Sequence, residues 1–118
     1  MLNLFFMIFL HIVDDYFLQA PTLGKLKQKQ FWEENAPDKK YKYDYLMALF
    51  MHSFSWAFMI MIPTMINNCF IWWLLPINLI IHFVVDHLKA NLGKLNLIAD
   101  QSIHLVQIVL TWLVCFII

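Results

Sequence analysis

The chain has 118 residues, 62% of them hydrophobic, 17% aromatic and only 14% charged, with a formal net charge of zero. Soluble domains carry about 25% charged residues, so this composition excludes an ordinary soluble globule and points to an integral membrane protein. Every basic residue is Lys, which removes the bidentate phosphate clamp of Arg, and nothing in the charge balance argues for a nucleic-acid partner.

A membrane-crossing helix needs roughly 20 apolar residues, and four such segments follow one another. The first covers 1–20, closed by Pro21 and Gly24. It has no basic leader, and Asp14 and Asp15 stand where a cleavage site would be, so it is expected to be a retained helix rather than a signal peptide. Next comes 21–44, the one stretch of soluble character, where Leu23, Leu26, Phe31 and Trp32 beside several Lys predict a short helix lying at the interface. The second segment covers 45–62 and ends at Pro63, the third covers 71–89 and contains Pro76, and the fourth covers 97–118. The fold class expected is an all-α membrane protein, a single domain over 1–118, built as a bundle of four transmembrane helices with a short interfacial helix in its first loop.

Lysine placement gives the orientation. Six Lys between Lys25 and Lys42, and Lys89 and Lys94, all fall in the first and third connections, and none falls elsewhere. The positive-inside bias puts those connections in the cytoplasm and both termini outside, for a multi-pass protein of the inner (plasma) membrane. Cys69 and Cys115 form no CxxC and read as spectator thiols.

Three of the segments carry the same polar unit. His11 and Asp15, His82 and Asp86, and Asp100 and His104 are each four residues apart, a spacing that puts both side chains on one helix face. The second segment adds a lone His52. Counted from the lysine-bearing side, all four histidines fall ~10–14 Å deep at ~1.5 Å per residue. Ionisable groups inside a bilayer are costly and mark function by default. Asp15, Asp86 and Asp100 would need pairing, protonation or a cation, and imidazole with carboxylate is a ligand mix for zinc, iron or manganese.

The candidate ligands are therefore His11, Asp15, His52, His82, Asp86, Asp100 and His104, for one or two divalent ions. Asp14, Gln19 and Gln101 are candidates to orient them, whereas His87 faces away and reads as interfacial. The function expected first is metal-dependent hydrolysis of a lipid-linked or amphipathic substrate, a lipid phosphate among them, at the cytoplasmic leaflet. Asp15 or Asp100 would be the general base and Lys89 the binder of substrate phosphate. A cation or proton transporter, with Asn78, Gln107 and Thr111 as its outward route, is the second reading. A non-catalytic membrane partner that uses these groups as polar glue between helices is the third. Beyond membrane lipids no partner is specified, and assembly into oligomers stays open.

The runs His11-Ile-Val-Asp-Asp15-Tyr-Phe-Leu-Gln19, His82-Phe-Val-Val-Asp86-His-Leu-Lys89-Ala90 and Asp100-Gln101-Ser-Ile-His104-Leu105, together with His52, resemble the domain-of-unknown-function family 3307 of small bacterial and phage membrane proteins. The chain departs from that pattern at Asp14, where a small residue is usual. The resemblance covers almost the whole chain and implies a helical membrane protein with these polar positions, without implying an activity. A looser likeness leads to bacterial inner-membrane proteins described as metal-dependent hydrolases.

Overall fold

An apolar run free of Gly and Pro forms α1 at Leu2–Val13, which widens into a π-helical turn at Asp14–Leu18. The computed structural model describes residues 1–19 and 21–118, without the side chain of Pro21. Pro21, whose fixed φ suits the first helical position, opens α2 (Pro21–Leu26), and α3 (Lys29–Asn35) follows. A single 3₁₀ turn at Lys39–Tyr41 then leads to α4 (Asp44–Ile66), α5 (Leu74–Ala90) and α6 (Leu97–Trp112), which ends in a second π-helical turn at Leu113–Ile117. The described residues form six α-helices and no strand.

Four of these helices make the bundle. α1 packs on α4 and α6, and α5 packs on α4 and α6, so the four close into a ring with alternating direction. Short connections enforce the reversals. Asn68, at φ 57°, takes the left-handed conformation that Asn tolerates and turns the chain from α4 towards α5. Gly93, at φ 61°, does the same after α5, and the Asn96 side chain then caps α6 by accepting from the Ala99 N–H at 2.8 Å.

Several expected boundaries move. α4 does not stop at Pro63 but continues to Ile66. Proline lacks the N–H that would bond one turn back, a single loss that costs little in the last turn of a long helix. α5 starts at Leu74 rather than 71, which puts Pro76 in the first turn where no N–H is required. In place of one interfacial helix, 21–44 holds α2, α3 and the 3₁₀ turn.

Among the described residues, the helical stretches long and apolar enough to cross a membrane number two, Lys39–Ile66 and Leu97–Ile117, not four. α1 with its π-turn contributes 12 and 5 residues and α5 contributes 17. At ~1.5 Å per residue these reach about 25 Å, against a hydrocarbon core of about 30 Å. The side chains are nevertheless sorted inside out around the whole ring. His11, Asp14, His52, Asn78, His82, Asp86, Asp100, His104, Gln107 and Thr111 are buried, while Phe5, Phe9, Phe17, Phe50, Phe54, Ile80, Val84, Val106 and Leu110 are exposed. A compact apolar cluster of Met7, Trp56, Ile60, Met61 and Ile108 fills the half of the bundle away from the lysines.

Candidate metal centre

The π-turn decides how α1 meets α4. A π-turn closes with an i→i+5 hydrogen bond, here from the Gln19 N–H to the Asp14 carbonyl at 2.9 Å. This wider turn brings two consecutive aspartates to bear on one imidazole. Asp14 Oδ2 lies 3.7 Å from His52 Nδ1, and Asp15 Oδ1 lies 3.5 Å from His52 Nε2. Ser55, one turn along α4, donates to Asp14 Oδ1 at 2.5 Å and fixes that carboxylate.

His11, His82 and His104 pack on Trp56, and His52 meets His82. His82, fully buried, stacks on the indole at 4.3 Å between centroids and on His104 at 4.2 Å. His11 meets the indole edge-on at 5.7 Å. The Trp56 N–H donates to His11 Nδ1 at 2.7 Å, and because indole can only donate, that nitrogen carries a lone pair and the His11 proton sits on Nε2. His11 Nε2–H then donates to Gln101 Oε1 at 3.0 Å. The orientation of Gln101 follows in turn, and its amide donates to Asp15 Oδ2 at 3.3 Å and Asp100 Oδ2 at 3.0 Å. One indole thus sets the proton positions of a chain that crosses from α4 through α1 to α6.

The lysine-bearing end supplies the counter-charge. Lys27, only 6% exposed, reaches in from the segment joining α2 to α3 and donates to Asp86 Oδ2 at 2.7 Å and Gln19 Oε1 at 2.9 Å. Asn91 holds that segment, donating to the Lys27 carbonyl at 3.0 Å and accepting from the Lys29 N–H at 2.6 Å. Lys89 donates to Asp100 Oδ2 at 3.0 Å, and Asp100 Oδ1 lies 3.3 Å from His104 Nε2. A cavity of about 220 Å³ opens between these groups, lined among others by Asp15, His52, Asp86, Asp100 and both lysines.

Asp15, His52 and His82 could hold a metal ion, since each offers a ligand atom within 4.8 Å of the others. Metal–ligand bonds of about 2.0–2.2 Å place neighbouring donors of a tetrahedral site about 3.3–3.6 Å apart. His52 Nε2 lies 3.2 Å from His82 Nε2 and 3.5 Å from Asp15 Oδ1, and Asp15 Oδ1 has no hydrogen-bond partner among the described residues. Two edges of the triad are thus close to that spacing, the His52–His82 edge being a hydrogen bond between the rings, and the third lies within 4.8 Å.

Of the other residues singled out in the sequence, His11 Nδ1 lies 3.5 Å from Asp15 Oδ2, and Asp86 Oδ2 lies 3.7 Å from His52 Nε2 but is bonded to Lys27. His11 has both ring nitrogens engaged, and Asp100 and His104 pair with each other beside Gln101. Asp14 backs His52, Gln19 holds Lys27, and Gln101 joins His11 to two carboxylates. His87 lies outside, stacked on Tyr45. Asn78, Gln107 and Thr111 hydrogen-bond one another at 2.9–3.3 Å and tie α5 to α6.

Lys27, Ser55, Trp56 and Asn91 are the members that sequence reasoning passed over. Nothing separates Lys27 from Lys25 and Lys29 in the sequence. Trp56 did carry a signal, because it follows His52 by one helical turn and so shares its face. No family model, curated protein or solved structure matches the chain.

Proposed function

We propose that the chain is a membrane-embedded metal-dependent hydrolase, acting on a lipid-linked or amphipathic substrate at the cytoplasmic leaflet. The observation that carries the metal is the convergence of Asp15, His52 and His82, whose ligand atoms lie within 4.8 Å of one another beside a carboxylate oxygen without a partner among the described residues. Charge supports it as well. Asp14, Asp15, Asp86 and Asp100 face only Lys27 and Lys89, and with neutral imidazoles one divalent ion balances the remainder. A bound zinc, iron or manganese ion would polarise an ester oxygen or a water there.

The protein's own groups have distinct tasks in this reading. Asp14 orients His52 from behind, as a carboxylate behind an imidazole ligand does. The His11–Gln101 pair holds Asp15 and Asp100 in place, and Asp100, beside the cavity, is placed to take a proton from a water. The side chains support a membrane setting by their inverted sorting, with all four bundle helices presenting aromatic or aliphatic faces outward. In this reading all four cross the bilayer, α1 and α5 being accommodated by local thinning. The lysine-bearing connections are then cytoplasmic and both termini outside. Membership of the family 3307 resembled by the sequence belongs to the same proposal.

Metal content of detergent-purified protein, measured by mass spectrometry, tests it. Wild type should hold about one ion per chain, and His52→Ala and His82→Ala should each lose it, while His11→Gln should retain it. Folded wild type without metal sinks the reading and leaves these groups as helix-to-helix glue.

A further inference from the structure

Lys27 and Lys89 do more than neutralise carboxylates. Resting on the metal reading above, we infer that the cavity between them is a phosphate subsite, which makes a phosphate ester the substrate class. Lys27 is more than nine-tenths buried, and its two partners among the described residues leave one of its three N–H groups for the cavity it lines. Lys89 spends one donor on Asp100 and, at 32% side-chain exposure, stands at the rim with two to offer. The two ammoniums come from different elements, the α2–α3 segment and α5, and both face the space beside Asp15 and His52.

Charge permits an anion once the ion is bound. Three carboxylates and two ammoniums line the cavity, and Asp14 stands behind His52, so a divalent ion cancels the negative balance that would repel a phosphate. At about 220 Å³ the space exceeds a phosphate group and leaves room for its ester oxygen. Burial of Lys27 needs an explanation beyond its carboxylate, since a buried ion pair seldom adds net stability. A buried ammonium with a spare donor beside a candidate metal ion is a familiar requirement of phosphoryl recognition.

The ligand could be free phosphate or a lipid headgroup, and calorimetric titration of zinc-supplemented, detergent-purified full-length chain separates them. Inorganic phosphate, dioctanoyl phosphatidate and neutral dioctanoylglycerol are the probes, and zinc is quantified in the same samples. Phosphatidate should bind wild type, while dioctanoylglycerol should not. Lys27→Met and Lys89→Met should each weaken phosphatidate at least tenfold, and Lys27→Arg should recover much of the loss. Circular dichroism and thermal unfolding of both Met variants, with Lys27→Arg as the charge-retaining control, show that a loss of binding is not a loss of fold. Tighter binding of phosphatidate than of phosphate assigns a lipid-borne group, and equal affinity assigns the free anion; either supports the subsite. Zinc-loaded wild type that ignores both phosphates overturns it, as does a Lys89→Met chain that binds like wild type or a neutral lipid that binds equally. Phosphatidate binding that needs both lysines in protein unable to retain zinc would keep the subsite and discard the metal.

Discussion

Trp56 is the side chain on which the proton arrangement of the centre depends. As a donor-only group it forces His11 into one tautomer, and through Gln101 it fixes which oxygens of Asp15 and Asp100 are bonded. Trp56→Phe keeps most of the stacking surface against His82 but leaves a buried acceptor on His11 without its donor. Such a loss costs about 1–3 kcal/mol, so thermal unfolding in detergent should show a clear drop in midpoint, with the bundle still helical by circular dichroism. An unchanged midpoint would mean that His11 simply flips to another partner. Asp14 and Asp15 illustrate a related point. Adjacent in sequence, they would point apart on a regular helix, yet both address His52.

At the scale of elements, that convergence belongs to the π-turn at Asp14–Leu18, and the placing of Lys27 belongs to the α2–α3 segment. The segment is held to α5 by Asn91, and the Trp32 indole N–H adds a bond to the Leu26 carbonyl at 2.7 Å. Asn91→Ala removes both bonds to this segment, together with one to His87 Nδ1 at the end of α5, while the contacts between the bundle helices stay in place. Faster amide exchange confined to residues 27–29 is the expected outcome by hydrogen–deuterium exchange, and protection equal to wild type would show that Lys27 and Asp86 hold the segment alone. The outer polar residues behave differently. Asn78, Gln107 and Thr111 hydrogen-bond one another across the α5–α6 seam, as polar side chains join helices in membranes, and leave Gln107 Oε1 without a partner among the described residues.

For the whole molecule, the question is which helices cross. Two meet the length and hydropathy expected of a span, and α1 and α5 are shorter. Cysteine labelling decides it. In a chain carrying Cys69→Ser and Cys115→Ser, a membrane-impermeant maleimide added to intact cells should label Phe70→Cys and spare Lys40→Cys and Lys94→Cys until the membrane is permeabilised. Labelling of Lys94→Cys together with Phe70→Cys would mean that α5 does not cross. The all-helical character was legible because long apolar runs bounded by Pro, Gly and lysine-bearing connections mark helices, whereas the expected four spans reduce to two helices of spanning length among the described residues. The i, i+4 pairs were legible because helical periodicity puts both members on one face without reference to anything else. The limits of α4 and α5 were less so, since a proline interrupts a helix or sits harmlessly in its end turn according to where the neighbouring turns fall.

The sequence by itself determined that the chain is helical and apolar outside, and that His11, His52, His82 and His104 belong at a common depth. Each of these follows from residue type and local periodicity. Tertiary structure alone decided which donors come to ligand spacing, that His11 turns to Trp56 and Gln101, and that Lys27 rather than its neighbouring lysines enters the centre. Those outcomes depend on helix rotation, on one wide turn and on a loop anchored by Asn91. A displacement of about 1.5 Å along or around a helix axis re-pairs every such group, and no pattern within a single helix encodes where its neighbour will stand.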